Sequence, residues 1–123
     1  MIIKALAENH AITDDFKTQH GLSLYIETSR HKILFDMGQN SLFLENAKKM
    51  GVNIDEIDLA IISHGHNDHG GGLGVFLQEN SQAKVYIHQK AFDKYFARRP
   101  DGEIQAIGLD EEYKSHPRLV FTG

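Results

Sequence analysis

Apolar and polar residues alternate along the first third of the chain with the period of two that is typical of β-strands. The alternation predicts strands over residues 2–8, 21–28 and 32–36. A turn at residues 29–31 joins the second and third strands as a hairpin. Residues 10–20 are polar and are expected to form a loop. The chain is therefore expected to begin with an antiparallel arrangement of strands.

After the hairpin, the hydrophobic spacing changes to a succession of helices and strands. Helices are predicted over residues 41–50, 73–80 and 91–98, with short helical pieces at 54–57 and 110–115. Strands are predicted over residues 58–62, 84–88 and 118–122, and the first of these is a continuous apolar run of the buried, parallel type. This order predicts a mixed α/β sheet with crossover helices, in one domain over residues 1–123.

The composition is that of a soluble globular protein, with 41% hydrophobic and 24% charged residues. The net charge of −4 argues against a role on nucleic acid or on a membrane surface, because both need a basic face. No apolar run approaches the ~20 residues of a membrane-spanning helix, so neither a nucleic-acid nor a membrane partner is expected. The absence of cysteine excludes disulfides, thiolate zinc sites and cysteine nucleophiles. Because no signal peptide is evident before the first strand, we expect a cytoplasmic protein.

Candidate chemistry lies directly after the apolar strand at residues 58–62. Within six residues stand His64, His66, Asp68 and His69. Two residues one apart on an extended segment project to the same side, so the first two histidines can bind one ion while the aspartate and the last histidine face a second. Imidazole and carboxylate suit zinc, iron or manganese, and two ions about 3.5–4 Å apart can share a hydroxide nucleophile. A histidine-rich solvated loop is the alternative, but four ligand-type residues between a strand and a glycine turn favour a metal site.

The segment over residues 63–72, SHGHNDHGGG, resembles the signature of the metallo-β-lactamase superfamily. The resemblance implies that His64 and His66 bind a first metal, that Asp68 and His69 bind a second, and that Asp68 also handles protons. The surrounding sequence is closest to a dihydropteroate-synthase-like subgroup, which includes ribofuranosyl-aminobenzene phosphate enzymes of methanopterin synthesis.

A second stretch, LFDMG at residues 34–38, resembles the first motif of the same superfamily. By that resemblance, Asp36 supports the site by holding a ligand loop in place, which is a common task for partners of metal ligands. The alternative is an aspartate that caps a helix or a turn, since such aspartates are common.

The resemblance implies a metallo-β-lactamase-like αββα sandwich, of which this chain is the N-terminal half: a mixed sheet with helices on one face, truncated as a domain. Full-length members are about twice as long and take a third histidine, a bridging aspartate and a final histidine from their second half. The inner sheet face is therefore expected to be uncovered, with residues such as Leu24, Ile26, Leu34 and Ile61. This predicts a homodimer, a separately encoded C-terminal half, or a truncated product of weak activity.

Other histidines are weaker candidates for the missing ligands. His116 follows a charged segment and is expected at the surface, whereas His88 ends a strand and is expected to pack in the core or at its rim. His10 and His20, in the predicted loop, are candidates for the lining of a substrate entrance.

The leading expectation is a hydrolase that uses a metal-bound hydroxide on a small-molecule ester, lactone or phosphoester. The metal ligands are then those named above, Asp68 and Asp36 are the catalytic candidates, and zinc is the expected metal, two ions per complete site. The alternative is a metal-binding half-domain that is inactive without a partner half. A third possibility is a redox role with iron, which histidine and aspartate ligands permit.

Overall fold

Eight strands form two sheets in the computed structural model, which describes residues 1–7, 21–93, 95–98 and 100–123. The strands are β1 (Ile2–Ala7), β2 (Ser23–Glu27), β3 (Lys32–Phe35), β4 (Leu59–Ile62), β5 (Lys84–His88), β6 (Phe96–Arg98), β7 (Ile104–Ala106) and β8 (Leu119–Thr122). Six of them form one sheet in the order β1-β2-β3-β4-β5-β8, and β6 pairs with β7 in a separate antiparallel hairpin.

The large sheet is mixed, as the sequence predicts. Strands β1, β2 and β3 are antiparallel neighbours, whereas β3, β4, β5 and β8 run parallel. Parallel neighbours require crossover connections. The connecting helices are α1 (Leu42–Lys49), α2 (Asn67–Gly70) and α3 (Leu73–Glu79), with 3₁₀ turns at Ile54–Glu56 and Glu111–Tyr113. The longest helix in the described ranges has eight residues, far short of a membrane span.

One face of the large sheet carries the hydrophobic core. Its strand residues form a continuous cross-strand row, and the helices contribute Phe43, Ala47, Leu73 and Phe76 to the same buried cluster. The row consists of Tyr25, Leu34, Ala60, Val85 and Leu119. Full burial of each large side chain stabilises the fold by roughly 2–3 kcal/mol.

The opposite face of the sheet is also apolar but has no helix packed on it among the described residues. Its side chains lie one residue out of phase with the core row and are partly or largely exposed. They are Ile3, Leu24, Ile26, Ile33, Phe35, Leu59, Ile61, Tyr86 and Val120, called the open face below. A depression of about 570 Å³ on this face is lined partly by Leu59, Ile61 and Tyr86.

Placing Leu34 on the open face was wrong. Its side chain is fully buried, and its cross-strand neighbours Tyr25 and Ala60 belong to the core row. Alternate strand residues point to opposite faces, so Leu34 cannot share a face with Phe35 and Ile61. The error arises because both faces of β3 are apolar, and the sequence alone does not distinguish them.

The predicted helix over residues 91–98 was also wrong. Ala91 and Phe92 lie in a turn and are buried, and β6 follows at Phe96–Arg98. Apolar residues at 92, 95 and 96 happen to match helical spacing, but Tyr95 and Phe96 also favour strands. Antiparallel pairing with β7 across the predicted turn decides the outcome. The predicted loop at residues 10–20, with His10 and His20, lies outside the described residues.

Candidate metal centre

The site lies at the carboxyl ends of two neighbouring parallel strands in the middle of the sheet. Asp36 directly follows β3, and the segment 63–69 directly follows β4. Because β3 and β4 are hydrogen-bonded parallel neighbours, their carboxyl ends lie side by side. Crevices at the carboxyl ends of parallel strands are the usual place for ligands in open α/β sheets. The two sequence motifs therefore meet in space.

Asp36 is the centre of a hydrogen-bond network behind the histidines. Its side chain is fully buried. The backbone N–H of Ser63 donates to Oδ1 at 2.7 Å, while the Ser63 hydroxyl donates to Oδ2 at 2.6 Å and His69 Nδ1 lies 2.8 Å from the same oxygen. Its backbone is left-handed, with φ of 60°, a conformation that aspartate adopts more readily than most residues. Asp36 therefore fixes both the start and the end of the histidine segment.

Backbone hydrogen bonds hold the same segment against neighbouring loops. The N–H of Met37 donates to the carbonyl of His69 at 2.7 Å, and the N–H of Leu22 donates to the carbonyl of Asp68 at 3.2 Å. Gly71 lies in close contact here, since a Cβ at this position would stand 2.2 Å from the carbonyl oxygen of Gln39. The segment is thus held on several sides before any ligand binds.

Three of the predicted ligands offer donor atoms to a common point. His64, Asp68 and His69 each present one ligand atom, and these atoms all lie within 4.8 Å of one another. His69 Nε2 lies 3.7 Å from Asp68 Oδ2. Ligands of a tetrahedral zinc ion stand about 2.0–2.2 Å from the metal, and hence about 3.5 Å from each other. This pair already has the spacing of two ligands of one ion, and the His64 donor lies within 4.8 Å of both.

His66 stands beside this trio rather than within it. Its ring centroid lies 4.8 Å from that of His64, edge to face, and 5.3 Å from that of Tyr95. The backbone around His66 is joined to the β6–β7 region by an isolated bridge to Gly108 and by a 2.7 Å hydrogen bond from Asn67 N to Ile107 O. His66 is therefore positioned by the hairpin, while Asp36 positions the other side of the site.

The electrostatics favour neutral imidazole at His64. Burial lowers the pKa of His64, and the neighbouring charges of His69 and His66 lower it further, against a smaller opposing effect of the carboxylates. A metal binds neutral imidazole, because the ring nitrogen must offer a lone pair. Burial, with the two neighbouring rings, therefore favours the form of His64 that can bind a cation.

Two residues that contact the site were not predicted from the sequence. The Ser63 hydroxyl lies between Asp36 and His64, and its position directly before the first histidine was the available signal. Tyr95 contacts His66 but was assigned to a helix. Two other histidines have local roles. His88 is exposed and accepts from Lys90 N, so the expectation that it packs in the core or at its rim was wrong. Half-buried His116 accepts from Arg118 N.

A family comparison agrees with this geometry. The model of the metallo-beta-lactamase superfamily matches residues 18–122, which is most of the chain and includes both motifs. The chain belongs to this superfamily. The predicted fold class and family are therefore confirmed, and the metallo-beta-lactamase fold accounts for the mixed sheet with the histidine segment after a parallel strand.

Three individual relatives show what the chain resembles within the superfamily. An uncharacterized protein of Methanocaldococcus jannaschii is 38% identical over 94% of this chain and 43% of its own length. A 7,8-dihydropterin-6-methyl-4-(beta-D-ribofuranosyl)-aminobenzene-5'-phosphate synthase of the same organism is 37% identical over 80% of this chain and 36% of its own length. Among solved structures, a metal-dependent hydrolase of the beta-lactamase superfamily matches 98% of this chain and 41% of its own, with 31% identity and a TM-score of 0.75. The chain thus spans less than half the length of these relatives.

Proposed function

We propose that the chain carries half of a metal-dependent hydrolase centre, with His64, His66, Asp68 and His69 as ligands of divalent metal. The observation that carries the proposal is the convergence of donor atoms from His64, Asp68 and His69 within 4.8 Å. Membership of the superfamily and the likeness to a metal-dependent hydrolase support it. The proposed substrate is a small-molecule ester, lactone or phosphoester, and zinc is the proposed metal.

The proposed roles of Asp68 and Asp36 follow from their positions in the site. A bound divalent metal supplies Lewis-acid chemistry and lowers the pKa of water. Asp68 lies at the half-buried edge of the site, where its carboxylate can accept a proton from a water molecule held beside His69. Asp36 is fully buried, and its carboxylate binds Ser63 and His69, so it acts by positioning the ligand segment. The two aspartates thus take different roles in the proposed reaction.

We expect zinc binding to depend on His64. Replacing His64 with alanine removes one of three converging donors, and the dissociation constant for zinc should rise roughly tenfold or more, since even outer partners of metal ligands contribute that much. Isothermal titration of the metal-free chain measures the change. His31→Ala is the matched control, because His31 is exposed and pairs with Asp58. Equal zinc affinity in His64→Ala and wild type would refute the proposed site.

Activity and metal identity need separate measurements. Elemental analysis of the purified chain distinguishes zinc from iron, and iron would support the redox alternative. A panel of lactones, carboxylic esters and phosphate esters, with His66→Ala as the control, tests hydrolysis. Phosphate esters belong in the panel because one relative is named as a 5'-phosphate synthase. Metal binding without turnover would favour the alternative of a half-domain that needs a partner.

The open face supports a second proposed element, a further α/β layer that covers the sheet. A continuous apolar sheet face is an expected interaction surface, and more than half of the related solved structure has no counterpart in this chain. We propose a C-terminal half as the covering layer, with a second copy of the chain as the competing occupant. Such a layer would also supply the remaining metal ligands.

We expect the isolated chain to associate through the open face. Sedimentation of the wild type should show a mass that rises with concentration, because the apolar side chains leave water on contact. Ile26→Lys places a charge on this face, between Ile3 and Ile33 of the neighbouring strands, and should shift the population towards monomer. The control Ser29→Lys adds the same charge at an exposed turn. A wild type that stays monomeric at all concentrations, and binds no hydrophobic dye, would contradict the prediction.

A further inference from the structure

The Ser63 hydroxyl is placed between the buried carboxylate and the first candidate ligand. Its Oγ lies 2.6 Å from Asp36 Oδ2 and 2.9 Å from His64 Nδ1. The backbone N–H of the same residue donates to Asp36 Oδ1, so the serine is held at two points. A hydroxyl fixed in this way can determine which nitrogen of the neighbouring imidazole carries the proton.

The directions of these hydrogen bonds follow from the donors and acceptors available. An ionised carboxylate only accepts, and a serine hydroxyl has a single proton to donate. Because the shorter contact is to Asp36 Oδ2, the Ser63 proton points to the carboxylate. The Ser63 oxygen is then an acceptor towards His64, so the His64 Nδ1 must carry the hydrogen. The lone pair of His64 is left on Nε2.

His69 is held in the same tautomer by Asp36 itself, with no hydroxyl in between. Its Nδ1 lies 2.8 Å from Asp36 Oδ2, an acceptor, and therefore carries the hydrogen. The lone pair of His69 is then on Nε2, the nitrogen that lies 3.7 Å from Asp68 Oδ2. Asp36 Oδ2 thus favours the same tautomer in both imidazoles. It acts on His69 directly and on His64 through the Ser63 hydroxyl.

We propose that Ser63 is a positioning residue that fixes the tautomer of His64 as Nδ1–H. The serine extends the reach of Asp36 to a second imidazole, so that His64 and His69 both present Nε2. The consequence for metal affinity rests on the proposed function, whereas the tautomer is a property of the metal-free chain. Without the hydroxyl, water competes for Nδ1 and both neutral tautomers of His64 become populated.

Nitrogen NMR of the metal-free chain tests the tautomer directly. The chain is labelled with ¹⁵N on histidine, the two-bond correlations of each ring are recorded above neutral pH, and His64 is assigned from the spectrum of His64→Gln. The wild type should show the Nδ1–H pattern at His64. Ser63→Ala should show averaged or Nε2–H nitrogen shifts, and Ser63→Thr, which retains a hydroxyl, should restore the wild-type pattern. Ser41→Ala removes an exposed hydroxyl that makes no cap hydrogen bond and should change nothing.

A zinc titration of the same variants separates this inference from the proposed function. Ser63→Ala should weaken zinc binding about tenfold, the lower end of the effect of partners of metal ligands, while Ser63→Thr should not. If the wild type binds no zinc, the proposed function fails, and the spectrum still decides the role of Ser63. An Nε2–H pattern at His64 in the wild type, or an unchanged pattern in a folded Ser63→Ala, would overturn the inference. If the alanine variant does not fold, Ser63→Cys, which fills similar space with a much weaker hydrogen-bonding group, takes its place in both measurements.

Discussion

Replacing Asp36 with alanine is expected to lower the free energy of unfolding by about 3 kcal/mol and to weaken zinc binding at least tenfold. The carboxylate is fully buried and accepts from Ser63 N, Ser63 Oγ and His69 Nδ1. Alanine leaves these donors without their acceptor and also places a poorer residue at a left-handed φ of 60°. Urea unfolding measures the stability, and titration of the metal-free protein measures the affinity.

The variant Asp36→Asn separates the effect on stability from the effect on zinc affinity. Asparagine adopts left-handed φ readily and fills the same space, so most of the backbone and packing energy should be retained, with a loss of about 1–2 kcal/mol. Its amide has only one acceptor oxygen for donors that occupy both carboxylate oxygens, so zinc affinity should fall nearly as far as in the alanine variant. An alanine variant with the urea midpoint of the wild type would show that the network contributes no stability.

Gly71→Ala is expected to destabilise the fold by about 3 kcal/mol, because there is no room for a methyl group. An added Cβ would lie 2.2 Å from the carbonyl oxygen of Gln39 and 2.3 Å from that of Asn67, both on the backbone. The backbone of Gly71 has an ordinary helical φ of −63°, so conformational strain does not contribute. The ligand segment and the loop after Asp36 must separate to admit the methyl group, and zinc affinity should fall with stability.

Gly51→Ala is the matched control for this prediction. Gly51 has a φ of 72° but nothing within 4 Å of an added Cβ, so only backbone strain opposes the substitution. We expect a loss of about 1 kcal/mol, the usual cost of a left-handed conformation, and unchanged zinc binding. Urea unfolding of both variants provides the comparison. If Gly71→Ala proves no less stable than Gly51→Ala, the close packing around the ligand segment is not a determinant of stability.

Much of the fold was predictable because its elements have strong local patterns. The strands at 58–62 and 84–88 and the helix at 41–50 were predicted to within a residue or two, since apolar periodicity is clear there. The meeting of the two motifs was also predictable. They follow strands β3 and β4, which were assigned from the sequence, and the resemblance to a known superfamily supplied the pairing.

The remainder depended on interactions that are not local in the sequence. Residues 91–98 match helical spacing, and only pairing with β7 shows that β6 is a strand. Leu34 and Phe35 are both apolar, so the sequence could not show which of them faces the helices. The hydrogen bond from Ser63 to Asp36, which links Asp36 to His64, spans 27 residues and requires side-chain directions that no periodicity contains.

The attachment of the β6–β7 hairpin to the histidine segment has a mechanical consequence. The bridge between His66 and Gly108 and the ring contact with Tyr95 join the two parts, so we expect a displacement of one to displace the other. Coupling between two such parts is reciprocal in free energy. A ligand that immobilises the His66 imidazole is therefore expected to stiffen the hairpin, and a molecule that binds the exposed Phe96 or Ile104 is expected to restrain the imidazole in turn.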